Sequence, residues 1–290
     1  MKRARNICLA ALKVLFGTTL AVVCSTSQAG AIFLTGHDPD FHATLGGNTT
    51  GARAINTTAI SYIMDSSYNP FVASAPKFLF VESNISVPGG HTVGMNGIVA
   101  SGYLQGTAFD QVNASSLNAA LNLLGQAGGY SAIVIASDFG GILTQAELDI
   151  LNARSADIIS FLNAGGGLYA MAESNNGTHL TPNGGQFGFL PFIVTSTAFD
   201  QSEVGNTVTA FGASLGLTNA DVNGNASHNI FTATGGMNIV DLDSAGHILS
   251  LATRSLIDTG GVVGVPEPGT LALLGLGLAG LGLSRRRKAA

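Results

Sequence analysis

Basic residues are almost missing from the middle of this sequence. Between Ile32 and Gly264 only Arg53, Lys77, Arg154 and Arg254 stand against sixteen Asp and Glu, a formal charge of −12 where the whole chain carries −5. A surface that acidic is repelled by phosphate backbones, which argues against nucleic acid as a partner. Cysteine is equally scarce: Cys8 and Cys24 are the only two, and both fall in the first 24 positions. The rest of the chain has neither a disulfide nor a thiol nucleophile to work with. Val23 before Cys24 is a poor fit to a lipoprotein signal, which wants a small residue there. Two catalytic strings are also missing. Ser137-Asp138 and Glu173-Ser174 lack the flanking glycines of a nucleophile elbow, and Gly165-Gly166-Gly167 precedes a strand instead of opening a helix over a phosphate. There is no internal repeat.

What is present is concentrated first at the two ends. Lys2, Arg3 and Arg5 begin the chain, Leu9 to Val23 is mostly apolar, and small residues follow at Ser27, Ala29 and Ala31. Those are the three parts of a signal peptide over residues 1–31, with cleavage after Ala29 or Ala31, and they imply the Sec translocon and signal peptidase as partners. The other end reads Val265-Pro266-Glu267-Pro268, then apolar residues from Gly269 to Leu283, then Arg285-Arg286-Arg287-Lys288. As a helix that fifteen-residue stretch spans about 22 Å, short of a hydrocarbon core of about 30 Å. Its basic end should stay cytoplasmic and hold the preceding domain on the far side of the membrane. The order of elements resembles the PEP-CTERM sorting signal. The resemblance implies that Pro266, Glu267 and Pro268 mark where an exosortase-type transpeptidase processes a chain held transiently in the inner membrane. It also implies a final place at the cell surface, in the outer envelope or outside the cell, and an association with exopolysaccharide.

Between the ends the 46% hydrophobic content supports a core. Residues 32–260 are expected to form one exported α/β domain, joined by a linker at 261–265 to the tail at 266–290. Strands are expected at Ala31–Thr35, Lys77–Val81, Ser131–Ala136 and Leu168–Ala172, with helices around Gly51–Met64 and Ser115–Leu124. The clearest helix starts at Thr144-Gln145-Ala146-Glu147, a capping box, and carries Leu148, Leu151, Ile158 and Leu162 on one face. This alternation argues for a parallel sheet with helices on both faces. Phe187–Thr195 reads as a further strand, and Asn238–Asp243 with His247–Thr253 as a C-terminal hairpin. The apolar tail adds a terminal hydrophobic helix.

The segment Leu143–Glu173, helix then triple glycine then strand, together with Leu34–His42, resembles the class I glutamine amidotransferase-like fold and its ThuA-like branches. A flavodoxin-like sheet is the wider class. The resemblance covers about Ile32 to Glu173 and departs at the decisive place, because the nucleophilic cysteine of amidotransferases is missing here. Glutaminase activity is therefore not expected.

In an open parallel sheet ligands bind beyond the carboxyl ends of the strands. Those ends carry His37, Asp38, Asp40 and His42 after the first strand, Glu82 after the second, Asp138 after the third, and Glu173 with His179 after the fourth. Imidazoles and carboxylates mixed within six residues suit zinc, manganese or iron, and carboxylates alone would suit calcium. With a divalent metal, an Asp or Glu base and a bound water would make a hydrolase. Against that, an acid after a strand commonly caps the next helix, and Asp-Pro is an ordinary turn pair. His228 and His247 are expected to be structural or solvent-exposed. Two functions follow. One is an exported surface or matrix-associated protein with a non-catalytic domain; the other is a metal-dependent hydrolase or carbohydrate-binding protein using the strand-end rim.

Overall fold

The structure is a computed structural model that describes residues 30–83, 94–138, 143–171, 185–190, 192–202 and 204–254. The expected leader, the sorting tail with the terminal helix expected of it, and the predicted site residues Glu173 and His179 lie outside the described residues. In chain order the first elements are β1 (Ala31–Thr35), α1 (Pro39–His42), α2 (Thr49–Ile63), β2 (Lys77–Val81), α3 (Gly94–Ala100), β3 (Phe109–Val112) and α4 (Ala114–Leu121). Then come β4 (Tyr130–Ile135), α5 (Gln145–Ala153), α6 (Ser155–Asn163), β5 (Gly167–Met171), β6 (Val194–Ser202) and β7 (Thr207–Val208). The last are α7 (Ala210–Ser214), β8 (Ala226–Thr234), β9 (Asn238–Leu242) and β10 (Ile248–Arg254).

These elements make a mixed α/β fold on one curled sheet. Five strands run parallel in the order β3-β2-β4-β5-β1. The inner four of them, β2, β4, β5 and β1, are near-continuous apolar runs because both faces are covered. On one face Phe33, Phe78, Phe80 and Tyr169 pack with Ile55, Ala59, Ile60 and Ile63 of α2. On the other, Ile32, Leu34, Leu79, Ile133 and Ile135 share a core with Leu117 of α4, Leu148 and Leu151 of α5, and Ile158 and Leu162 of α6. Each Leu, Ile or Phe among them contributes about 1.5–3 kcal/mol when fully buried.

The capping box forms as the sequence indicates, with Thr144 N–H donating to Glu147 Oε2 at 2.7 Å. The helix it opens is two helices, not one: the chain leaves helical geometry at Arg154 (φ −100°, ψ 18°) between α5 and α6. Beyond β1 the sheet changes character. β10 pairs with β1 antiparallel from Ala31↔Arg254 to Thr35↔Ser250, and β8 and β6 continue the sheet antiparallel. The expected hairpin is there as β9 and β10. Its turn is tied by Asp243, which accepts from the N–H groups of Ala245 (2.9 Å) and His247 (2.8 Å).

Two expectations need correction. Residues 186–190 are turns rather than strand, because Phe187 and Phe189 reach the core from a bent segment, and the strand starts only at Val194. The parallel sheet also has an unforeseen edge, β3, whose Asp110 and Gln111 are only half-buried and so break the apolar run that marks the inner strands.

Candidate functional site

The site begins where β1 ends. The Thr35 hydroxyl meets Ser250 Oγ at 2.8 Å, and the chain then threads between β10 and β8. Gly36 N–H donates to Leu249 O (2.7 Å) while Gly36 O accepts from His228 N–H (2.8 Å). A Cβ at position 36 would fall 2.0 Å from the Asn229 carbonyl oxygen, so only glycine passes here. This close approach brings β8 against the residues that follow β1.

Those residues divide into two groups. His37, 1% exposed, is held by Asp241 and Ser227: its Nε2 lies 2.7 Å from Asp241 Oδ2 and its Nδ1 3.3 Å from Ser227 Oγ. Asp38 and Asp40 belong to the second group, and both are fully buried. Asp38 occupies the N-cap position of α1, yet its carboxylate makes no capping bond. Instead Asp38 Oδ1 accepts from Ser137 Oγ at 2.8 Å, and Oδ2 lies 3.5 Å from His228 Nε2 without accepting a hydrogen bond. Asp40 Oδ2 accepts from Ser137 N–H at 2.9 Å, so the loop after β4 ties both acids together.

The single turn α1 is braced from below. Asn56 of α2 donates to Pro39 O (2.9 Å) and accepts from Tyr169 OH (3.0 Å). From the side, α3 packs so tightly that a Cβ on Gly97 would sit 1.8 Å from Asp40 O. The acids are thus held by β1, β4, β5, α2 and α3 together.

Their ionisation follows from this packing. Burial is the largest effect on Asp40, and with the adjacent Asp38 charge and the hydrogen bond between the two acids it holds the Asp40 carboxyl well above the usual carboxylate range. Burial acts the same way on Asp38, but the hydrogen bond with Asp40 and the His228 ring outweigh it and hold Asp38 below that range. The two carboxyls titrate as a pair, and their shared surroundings push Asp38 down and Asp40 up.

His42 completes the arrangement. Burial lowers its pKa, so the ring is neutral near neutral pH, and its Nδ1 lies 3.4 Å from Gly46 O. The His42 and His228 rings stack with centroids 6.5 Å apart and planes 21° from parallel. Asp38, His42 and His228 each present one donor atom, all within 4.8 Å of one another.

Of the residues singled out in the sequence, the structure brings Asp38, Asp40 and His42 together and turns His37 to a separate partner. Glu82 and Asp138 follow the adjacent strands β2 and β4 on the same sheet edge, both fully buried and outside the three-residue cluster. His228 was not legible as a site residue. Ser227-His228-Asn229 is a polar run in a strand, all of it buried, and three polar residues in succession resemble a loop until the fold is known. The single available signal was that run of polarity inside an otherwise β-prone stretch.

Residues 264–288 match the PEP-CTERM protein-sorting motif. The motif indicates an exported protein and an exosortase-type processing enzyme as its partner. No curated protein and no solved structure matches the chain. The amidotransferase-like reading of residues 32–173 has no family match behind it, since the match is confined to the tail.

Proposed function

We propose that this is an exported envelope protein, delivered by a signal peptide over residues 1–31 and released from the inner membrane by exosortase-type cleavage at Pro266-Glu267-Pro268. The observation that carries the reading is the sorting motif at 264–288. The strongly acidic, cysteine-free stretch before it supports the same reading, because it suits a compartment outside the cytoplasm and needs no redox protection. The domain at 32–260 acts there as a surface or matrix module, in contact with exopolysaccharide, and is joined by the linker 261–265 to the tail.

A flavodoxin-like or amidotransferase-like ancestry is supported by strand order. Counted from β2, the parallel strands run 2-1-3-4, and β1 takes the fifth place of a flavodoxin-like 2-1-3-4-5 sheet. The lost cysteine makes such a domain catalytically silent as a glutaminase.

A second reading, a hydrolase or carbohydrate-binding protein working at the strand-end rim, is favoured by one observation. Asp38 stands where an acid would cap α1, is fully buried, and does not cap. A purely structural acid at that position would be expected to satisfy the helix.

The export reading is tested by fractionating cells that make the native protein or a Glu267→Ala variant. The native protein should appear beyond the inner membrane, shortened at both ends, and the variant should stay in the membrane with its tail. Release of the variant at the native level would overturn the assignment of the cleavage motif.

A further inference from the structure

We infer that Asp38, His42 and His228 form a binding site for one divalent transition-metal ion, with zinc the best fit. The inference deepens the rim reading above and names its ligand.

Three features of the geometry point to an ion. The donors are two imidazole nitrogens and one carboxylate oxygen, gathered from a turn after β1 and from β8, positions 186 residues apart (42 to 228) that no local structure would bring together. Asp38 is fully buried, and its Oδ2 lies 3.5 Å from His228 Nε2 without accepting a hydrogen bond, which leaves a carboxylate oxygen aimed at the cluster. The outer contacts are those a metal site uses. Ser137 fixes Asp38 through the other oxygen, at 2.8 Å, and the Gly46 carbonyl lies 3.4 Å from His42 Nδ1. An N–H donated there leaves Nε2 of His42 with its lone pair for an ion.

The donor set selects the metal. Two nitrogens and one oxygen suit zinc and its first-row neighbours, whereas calcium takes oxygen ligands almost alone. Three protein donors leave at least one coordination position for water or a ligand hydroxyl, the composition of an open site rather than a closed structural one. His42, only partly buried, gives that position a way to solvent.

The test uses the processed protein, stripped with a chelator, dialysed, and loaded with Zn²⁺ or Co²⁺. One zinc per chain is expected by elemental analysis, with a cobalt visible spectrum showing nitrogen and oxygen ligation. His228→Ala and His42→Gln should each weaken zinc binding at least tenfold, while His247→Ala, on the β9–β10 turn, should not. Because His42 is partly exposed, His42→Gln keeps the fold, and its circular dichroism should match the native protein. Absence of stoichiometric zinc and cobalt, or undiminished binding in His42→Gln, would overturn the site. Measuring metal rather than turnover separates the two claims: an ion bound without hydrolysis ends the hydrolase reading alone.

Discussion

Gly36 decides whether the two halves of the sheet can meet at the site. Its N–H and carbonyl bond to Leu249 and His228 on different strands, and the Asn229 carbonyl occupies the space where a side chain would go. Gly36→Ala should therefore cost about 3 kcal/mol or more, since neither backbone can move without losing a hydrogen bond. Thermal unfolding should show this as a fall of roughly 6–12 °C for a domain of this size. An unchanged midpoint would mean that β8 does not press on the end of β1, and His228 would then be placed wrongly with respect to Asp38. At this scale much was readable beforehand. Asp38, Asp40 and His42 stand out as acids and imidazoles beyond a strand, whereas their partner His228 does not, because its role depends on a contact across 190 residues of sequence (38 to 228).

Among the elements, the β9–β10 hairpin depends on one side chain. Asp243 is 4% exposed, and its carboxylate accepts from two backbone N–H groups and from His247 Nδ1 at 2.7 Å. Burial alone would raise its pKa, but these hydrogen bonds, led by the His247 ring, lower it below the ordinary carboxylate value. A depressed folded pKa means that the stabilisation is present above the unfolded value of about 4 and disappears as pH falls through the folded one. Asp243→Ala should cost about 2 kcal/mol at pH 7, seen in chemical denaturation, and the gap between variant and native protein should begin to narrow below about pH 4 and go on shrinking as pH falls through the folded pKa. A gap independent of pH would show that the turn is held by shape and not by the charge. The parallel strands β1, β2, β4 and β5 and the helices α2, α4, α5 and α6 were legible because burial on both faces writes itself as apolar runs and three- and four-residue spacing, which the edge strand β3 lacks. The antiparallel strands β6 and β8 were not, since polar and apolar residues mix along them and their pairing is set by distant partners. The break between α5 and α6 at Arg154 also left no mark, because the apolar face continues through it.

For the whole molecule, the two ends and the domain between them make one argument. A stretch with a formal −12 charge and no cysteine lies between the proposed leader and a tail that matches a sorting motif. The first strand even limits where the leader is cut. Ala31 is paired on both sides, with Gly167 and Arg254, and its N–H donates to Gly166 O at 3.2 Å. Cleavage after Ala31 would remove a strand residue, so the cut should fall after Ala29 and leave Gly30 first. The most direct measurement is the intact mass of the protein recovered from its own cells. The account predicts a chain that begins at Gly30 and ends near Pro266-Glu267-Pro268, without Arg285 to Lys288. A mass that still includes the basic end would contradict it and make the tail a permanent anchor.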